Sequence, residues 1–154
     1  MSRNKKLEVH ETRNTKTDKV NGDLIVVYRD WDKYLESSPA MIYITSIFPN
    51  EIKGPHLHKE RNSYFLCIKG KVLFIIREKN GKYIEIVADQ NTPQLISIPK
   101  GISSAHVNLS DDPSSILVLA DIAWKPDDDE MENVEFRDYD WTKWKKITNL
   151  KNQK

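Results

Sequence analysis

Short runs of β-branched and aromatic residues, each closed by turn residues, follow one another along most of this chain and predict an all-β fold. Between two of them stands Asn80-Gly81, a pair that favours a tight hairpin because both residues tolerate positive φ. Eight short strands without a long helical period predict a single antiparallel barrel or sandwich. The runs are residues 24–29, 40–48, 63–69, 71–78, 83–88, 94–98, 103–109 and 115–120.

Composition divides the chain into three segments. Residues 1–20 form a polar N-terminal arm with too few large aliphatic side chains to fold alone. Residues 21–126 contain the strands and form the predicted β-barrel. Residues 127–154 form a C-terminal extension, which we expect to pack on the barrel.

The C-terminal extension begins with four consecutive acidic residues, 127–130, which we interpret as a solvated linker. Aromatic residues follow this linker. Trp141 and Trp144 are three residues apart, a spacing that permits a short terminal helix over the barrel. An extended flap is the alternative.

Length and charge exclude several classes of protein. The 154 residues are enough for one domain, and 24 Lys and Arg against 23 Asp and Glu give a net charge of +1. This balance argues against nucleic acid or an anionic membrane surface as a partner.

No run approaches the roughly 18 apolar residues of a membrane span, so neither a secretory signal nor a membrane anchor is expected. The one cysteine, Cys67, excludes an intramolecular disulfide and predicts a reducing, cytoplasmic location.

Three of the four histidines lie in two short segments, and this clustering is the main chemical feature of the sequence. In an extended strand, His56 and His58 share one face because side chains alternate. The same alternation groups Ser104, His106 and Asn108 on a second strand. We therefore expect two strands to direct polar groups into one cavity. The alternative is that these imidazoles lie at the surface and make routine hydrogen bonds.

Two motifs resemble the signatures of the cupin barrels. They are Gly54-Pro55-His56-Leu57-His58 followed by Ser63 and Gly70, and Pro99-Lys100-Gly101 followed by Ser104 and Asn108. The resemblance covers residues 53–108 and implies a cupin (jelly-roll) barrel.

The same motifs depart from those of metal-binding cupins, which have a glutamate where this chain has Ser63 and a histidine where it has Ser104. Serine hydroxyls are poor ligands for divalent transition metals. We therefore expect no bound metal and no other cofactor. A metal site built from His56, His58 and His106 is the alternative.

Within the cupins, the histidine motif resembles two families of sugar-nucleotide enzymes. Lys53-Gly54-Pro55-His56 is similar to the Arg-Gly-x-His of the dTDP-4-dehydrorhamnose 3,5-epimerases, with Lys for Arg. Continued through Leu57-His58-Lys59, the stretch resembles the Arg-Gly-x-His-Ala-His-Lys of the dTDP-sugar 3,4-ketoisomerases. Tyr139-Asp140-Trp141 resembles the ending of an epimerase-like subgroup.

These resemblances imply a metal-independent epimerase or isomerase in surface polysaccharide biosynthesis. Its substrate would be a nucleotide-activated 4-keto-6-deoxyhexose. The 3,5-epimerase reaction is our first prediction and 3,4-ketoisomerisation the second.

The chemistry of a 4-keto sugar explains why histidines suit this substrate. The ketone acidifies the neighbouring C–H bonds, so a base can remove a proton if the enolate oxygen is stabilised. The resemblance makes His56 the candidate base and His58 a second catalytic imidazole. Side chains predicted to bind substrate are Lys53, Lys59, Arg61, Arg77, Ser104 and His106.

The proton-returning acid is less easily assigned. In the epimerases a tyrosine stands a few residues before a proline, but the corresponding residue here is Trp124, and an indole cannot act as that acid. Tyr64 is the predicted replacement, with Tyr43 and Tyr139 as alternatives. For a nucleobase, Phe74, Tyr64 and Trp124 are the aromatic candidates.

Two further expectations concern binding and assembly. A sugar-nucleotide-binding module that has lost its catalytic acid is an alternative consistent with Trp124. A homodimer is expected because a strand-rich domain has exposed sheet edges, and exchange of the N-terminal arm between two chains would cover them.

Overall fold

The structure, a computed structural model, describes residues 2–144. Within this range, twelve strands form two five-stranded sheets and one two-stranded hairpin. The strands are β1 (Asn4–Lys6), β2 (Val9–Arg13), β3 (Val20–Ile25), β4 (Met41–Ile47), β5 (Ile52–His58), β6 (Ser63–Lys69), β7 (Lys71–Arg77), β8 (Tyr83–Asp89), β9 (Gln94–Ile98), β10 (Ser103–Asn108), β11 (Ser114–Ala120) and β12 (Met131–Asn133).

The two large sheets are antiparallel throughout and face each other. Their strand orders are β1-β9-β6-β11-β4 and β12-β5-β10-β7-β8, while β2 and β3 pair only with each other. The core between them takes Phe65 and Val118 from the first sheet and Phe74 and Ile76 from the second. Apolar side chains from the inner faces of both sheets are thereby buried from water, and this burial is the main contribution to the stability of the fold. This architecture confirms the predicted all-β cupin barrel.

Most predicted strands are found within a residue or two of their expected bounds, and the hairpin at Asn80-Gly81 joins β7 to β8. Gly81 alone of this pair has positive φ (83°), and the Asn80 side chain accepts a hydrogen bond from the Lys82 amide. The strand predicted at 24–29 is wrong in position. It runs instead over Val20–Ile25, because the pairing of β3 with β2 begins at the turn that follows Asn14.

The N-terminal arm also contributes strands that its composition did not predict. β1 pairs with β9 at the edge of the first sheet, and β2 forms the hairpin with β3. β5 was likewise missing from the eight predicted strands, because glycine and proline, as in Gly54-Pro55, are residue types that usually mark turns. Both residues lie inside β5, which pairs with β10 and β12.

The C-terminal segment covers the outer face of the second sheet. Phe136 and Tyr139 are buried against Leu73 and Ile75 of β7. The Tyr139 hydroxyl donates a hydrogen bond of 2.6 Å to Glu85 of β8. Residues 142–144 form one helical turn, and the rest of the extension predicted here, 145–154, lies outside the described residues.

Across residues 2–144, the structure has no helix of the length and apolarity that crossing a membrane requires.

Candidate functional site

A cavity of about 160 Å³ opens between the two large sheets. Its wall on the first sheet is built from β4, β6 and β9, and the opposite wall from β5, β10 and β12. The first wall presents Tyr43, Thr45, Ser63, Phe65 and Ile98. The second presents Lys53, His56, His58, Ser104, His106 and Met131, with Arg61 following β5.

The backbone of β5 directs both of its imidazoles into this cavity. His56 and His58 are two residues apart on one strand and both line the cavity, as the alternation predicted. Gly54 is required at the approach of β5 to β10, because it has φ 87° and an added Cβ would lie 2.7 Å from the Ser104 carbonyl oxygen.

His58 is held by a carboxylate from a distant part of the chain. Its Nδ1 lies 2.7 Å from Glu130 Oε2, and the two side chains are only 17% and 11% exposed. The other carboxylate oxygen, Glu130 Oε1, accepts a hydrogen bond of 3.1 Å from the Arg61 backbone amide. Because Nδ1–H donates to Glu130, the imidazole is fixed in the tautomer that leaves Nε2 as an acceptor.

Electrostatics keep this pair as a neutral imidazole beside a carboxylate. Burial lowers the pKa of His58; the hydrogen bond to Glu130 opposes this shift, and the charge of Arg61 adds to it. Burial alone would raise the pKa of Glu130, but the hydrogen bond and charge of His58, with further help from Arg61, hold it below its ordinary value. His58 is therefore a base rather than an imidazolium at neutral pH.

Arg61 lies against the ring of His58. Its Nη2 is 3.1 Å from Nδ1 and 3.0 Å from Nε2, and only a position over the ring face can be that close to both nitrogens. Arg61 is 8% exposed, and its Nε is buried without a hydrogen-bond partner. No carboxylate of residues 2–144 lies within 4 Å of its guanidinium.

His106 occupies the deep end of the cavity. Its ring contacts Phe65 and Phe74, with centroid separations of 4.8 Å and 4.6 Å, and its Nε2 lies 3.2 Å from Ser104 Oγ. Burial, with smaller contributions from the neighbouring His56, Lys53 and His58, lowers the pKa of His106 to about 3. This imidazole is neutral over the physiological range and acts as a hydrogen-bonding group.

The pKa of His106 predicts an acid-dependent loss of stability. In the unfolded chain the His106 imidazole takes up a proton near its ordinary pKa of 6.5, whereas in the folded chain it does so only near pH 3. The contribution of the neutral imidazole to stability is therefore complete above pH 6.5 and is lost as the pH falls below that value. Between pH 7 and pH 4, the free energy of unfolding of the wild type, measured with denaturant, should fall by about 3 kcal/mol more than that of His106→Phe. Parallel pH dependences for the two proteins would contradict this placement of His106.

The structure brings six of the nine predicted site residues to the cavity and leaves three elsewhere. Those in the cavity are Lys53, His56, His58, Arg61, Ser104 and His106. Lys59 lies outside, where its ammonium is 3.3 Å from Asp129 and 3.6 Å from Glu132.

Tyr64 requires correction as the predicted acid. Its neighbours Ser63 and Phe65 line the cavity, so Tyr64 points to the other face of β6, where it packs against Leu35. There its hydroxyl accepts a hydrogen bond from the Glu36 amide at 3.3 Å. The tyrosine in the cavity is Tyr43, one of the alternatives, and burial raises the pKa of its hydroxyl so that it stays protonated.

Arg77 also lies away from the cavity. It is on the outer face of β7, where its guanidinium is 3.7 Å from Asp138 of the C-terminal segment. Side chains alternate along β7, so Phe74 points to the opposite face from Arg77 and is buried in the core. Arg77 and Phe74 therefore both lie outside the cavity lining.

Glu130 is the residue that sequence reasoning missed. It is the last of the four acidic residues interpreted as a solvated linker, yet its carboxylate is buried on His58. Its neighbour Asp129, by contrast, has a side chain 92% exposed. The distinction arises because β12 starts at Met131 and pairs with His58, which draws Glu130 against β5.

Across residues 2–144, no group of three or more histidine, cysteine, aspartate or glutamate side chains is arranged to hold a metal ion.

A family model described as "FdtA: WxcM-like, C-terminal" matches residues 5–141. No curated protein sequence matches the chain.

Solved structures with the same fold include enzymes that act on sugar nucleotides. A dTDP sugar isomerase from Desulfovibrio desulfuricans G20 is 17% identical with a TM-score of 0.71, over 90% of each chain. A dTDP-4-dehydrorhamnose 3,5-epimerase from Elizabethkingia anophelis NUHP1 is also 17% identical, with a TM-score of 0.71 over 90% of this chain and 79% of that one.

A third similar structure is the capsular polysaccharide assembling protein CapF from Staphylococcus aureus. It is 22% identical with a TM-score of 0.60, over 64% of this chain. The aligned region spans only 29% of the length of CapF.

Proposed function

The chain belongs to the family of FdtA and WxcM-like C-terminal domains, and from this premise we propose that it is a sugar-nucleotide isomerase of the cupin fold. Its substrate is a nucleotide-activated 4-keto-6-deoxyhexose, and its reaction starts with removal of a proton beside the C4 ketone. The observation that carries the proposal is the His58–Glu130 pair, a buried neutral imidazole held by a carboxylate in the cavity wall.

In this proposal, His58 rather than His56 is the base. The Nδ1–H group of His58 donates its hydrogen bond to Glu130, so Nε2 is the ring nitrogen that accepts the proton from C3 of the sugar. The oxygen at C4 then gains negative charge, and the Lys53 ammonium, which lies in the same wall, stabilises it. His56, whose Nδ1 is buried without a partner, is the second proton carrier.

The arrangement favours 3,4-ketoisomerisation. Loss of the C3 proton and protonation of the C4 oxygen give an enediol, and loss of the O3 proton with protonation of C4 then gives the 3-ketone. Each of these transfers takes place between adjacent atoms along one side of the ring. His56 and His58 on one face of β5 suit such transfers.

A 3,5-epimerase is the second candidate, favoured by Tyr43. This reaction needs a proton returned on the opposite face of the ring, and Tyr43 lies on β4, in the wall opposite β5. No hydrogen bond to its hydroxyl is present in residues 2–144, so the hydroxyl can donate to a substrate. The first prediction from sequence relied on Tyr64, which lies outside the cavity.

One NMR experiment separates the two reactions. Purified protein is incubated with dTDP-4-keto-6-deoxyglucose in deuterated water. We expect deuterium at C3 of the recovered substrate and at C4 of a 3-keto product, with none at C5. Deuterium at both C3 and C5 indicates the epimerase, and no exchange at any carbon contradicts both.

A non-catalytic sugar-nucleotide-binding module would give a different result. It would show a ligand-dependent rise in melting temperature with dTDP-sugar but no deuterium incorporation. The pathway we propose for the enzyme is surface polysaccharide biosynthesis in the cytoplasm, supported by the likeness to CapF and by the single, buried thiol of Cys67.

We further propose a homodimer in which the β2–β3 hairpin is covered by a second copy. This hairpin pairs with neither large sheet, and its side chains Val9, Val20 and Leu24 are about half exposed. Isolated two-stranded hairpins are marginally stable in water, so a covering surface is needed.

Sedimentation of the wild type at micromolar concentration should therefore give a dimer, because the hairpin's apolar side chains are buried only in the assembly. Leu24→Asp should shift this dimer to monomer by placing a charge in the interface. Asp23→Asn, on the same hairpin, is the control and should leave the dimer intact. A wild type that sediments only as a monomer would contradict the proposal.

A further inference from the structure

One hydroxyl in the lining of the catalytic cavity, that of Ser63, is buried without a hydrogen bond. Ser63 is the first residue of β6 and is only 1% exposed. Its Oγ has no hydrogen-bond partner among residues 2–144. Because a buried hydroxyl without a partner destabilises a folded protein, a partner from outside the chain is expected.

The part of the cavity wall around Ser63 is apolar. Phe65 lies two residues further along β6 on the same face, and Ile98 is the backbone partner of Ser63 on β9. The Phe65 ring contacts His106 at the deep end of the cavity, with a centroid separation of 4.8 Å. A polar group set among apolar side chains is the arrangement by which binding sites orient a ligand.

Ser63 lies across the cavity from the catalytic histidines. It belongs to the wall formed by the first sheet, whereas His56 and His58 are on β5 in the second. The cavity volume of about 160 Å³ is below the range of about 300–1,000 Å³ for pockets that enclose drug-sized ligands, so the cavity suits a sugar ring rather than a whole nucleotide. A hexose between the two walls has one face toward the imidazoles and the other toward Ser63.

The size of the Ser63 side chain also suits a ligand. Metal-binding cupins have a glutamate at this position, and its longer side chain would fill part of so small a cavity. Serine leaves this space to a ligand and keeps a hydroxyl that can both donate and accept a hydrogen bond.

We infer that Ser63 is a specificity-determining residue, whose Oγ binds a hydroxyl of the hexose on the ring face opposite His58. The inference rests on the proposed function, which places the sugar in this cavity. A site built to bond a substrate hydroxyl discriminates against a sugar that lacks it, because the polar group of the site is then left unpaired.

Ser114 offers a matched control for Ser63. It is 0% exposed, and its Oγ also has no hydrogen-bond partner within the described part of the chain. Ser114 begins β11, where it pairs with Ile47, and it does not line the cavity. The two serines are therefore equally buried and differ in their access to the cavity.

The first measurement compares ligand binding to Ser63→Ala and Ser114→Ala by calorimetry. The ligands are dTDP-6-deoxyglucose, which has no ketone and cannot react, and dTDP, which has no hexose. Ser63→Ala should weaken dTDP-6-deoxyglucose by about tenfold, the effect of one lost hydrogen bond, and should leave dTDP unchanged. Ser114→Ala should change neither affinity.

The second measurement is thermal unfolding without ligand. Each alanine removes a buried unpaired hydroxyl, so both variants should melt about 2–4 °C above the wild type. Only Ser63→Ala should combine this rise in melting temperature with a loss of hexose affinity. A fall in the melting temperature of Ser63→Ala would show that the hydroxyl is structural and would overturn the inference.

Analogues of dTDP-6-deoxyglucose that lack one hydroxyl, at C2, C3 or C4, identify the oxygen that Ser63 binds. Removal of that hydroxyl should weaken binding to the wild type but not to Ser63→Ala, whereas removal of either of the others should add to the effect of the substitution. Additive effects at all three carbons would contradict a contact with the hexose.

The outcomes separate this inference from the proposed function, because none of the binding measurements needs turnover. If the wild type exchanges deuterium but Ser63→Ala binds dTDP-6-deoxyglucose as tightly as the wild type, the role of Ser63 is wrong and the function stands. If no exchange is found while Ser63→Ala weakens dTDP-6-deoxyglucose and not dTDP, the Ser63 contact stands and the catalytic proposal is wrong. An equal loss of affinity for dTDP also overturns the inference.

Discussion

Replacing His58 by asparagine should lower kcat about 10²- to 10⁴-fold, the usual contribution of a general base. Asparagine fills similar space and can still donate a hydrogen bond to Glu130, but its amide cannot accept a proton at neutral pH. Because the sugar is held by other side chains, KM and dTDP affinity should change little. Steady-state kinetics on the 4-keto sugar nucleotide measure this effect.

The matched control is His10→Asn. His10 also has a carboxylate neighbour, with Nε2 3.1 Å from Glu8, but it lies on the exposed hairpin away from the cavity. This variant should keep wild-type kcat. If His58→Asn is folded and retains more than a tenth of wild-type kcat, His58 is not the base, and His56→Asn identifies the alternative.

Glu130→Gln should produce the second-largest loss, about 10²-fold in kcat, through its effect on His58. Glutamine keeps an oxygen that can accept the Nδ1–H bond, so the imidazole stays oriented while the negative charge is removed. Glu130 raises the pKa of His58 against the effect of burial. Without the charge, that pKa falls further and the imidazole becomes a weaker base.

The pH profile distinguishes this role from a merely structural one. In the wild type, kcat/KM should fall as the pH drops through the His58 pKa, which burial places below 6.5. In Glu130→Gln, the acid limb should move to still lower pH while the plateau is reduced. Asp129→Asn, a change in the adjacent but exposed carboxylate, should leave the profile unchanged. An unmoved acid limb in Glu130→Gln would show that Glu130 does not act through His58.

The two histidines were predictable because alternation along a strand is a local rule. His56 and His58 are separated by one residue, so any extended conformation places both on one face. The same rule grouped Ser104 with His106, and both line the cavity. What the rule cannot give is the direction of that face, which depends on the pairing of β5 with β10 and β12.

Tyr64 was wrongly predicted because alternation gives no direction on a strand that is buried on both faces. The first five residues of β6 are all buried, since Phe65 faces the core and Tyr64 and Leu66 pack under the segment around Leu35. An apolar run of this kind carries no polar face to mark the side toward solvent. The structure was needed to place Tyr43, not Tyr64, in the cavity.

Glu130 could not be predicted, because the contact spans 72 residues of sequence. Four adjacent acids look alike in sequence and differ only in which of them meets β5. The short strand β12 decides this through backbone pairing with His58, a non-local interaction that local patterns do not encode.

Solvent deuterium exchange at C3 tests most directly whether a buried imidazole removes a proton beside the ketone. Wild-type protein and folded, dTDP-binding His58→Asn are each incubated with dTDP-4-keto-6-deoxyglucose in deuterated water, and the C3 proton signal is followed by NMR. We expect the signal to disappear with the wild type and to persist with the variant. Exchange at equal rates in both, or in neither, would contradict the assignment.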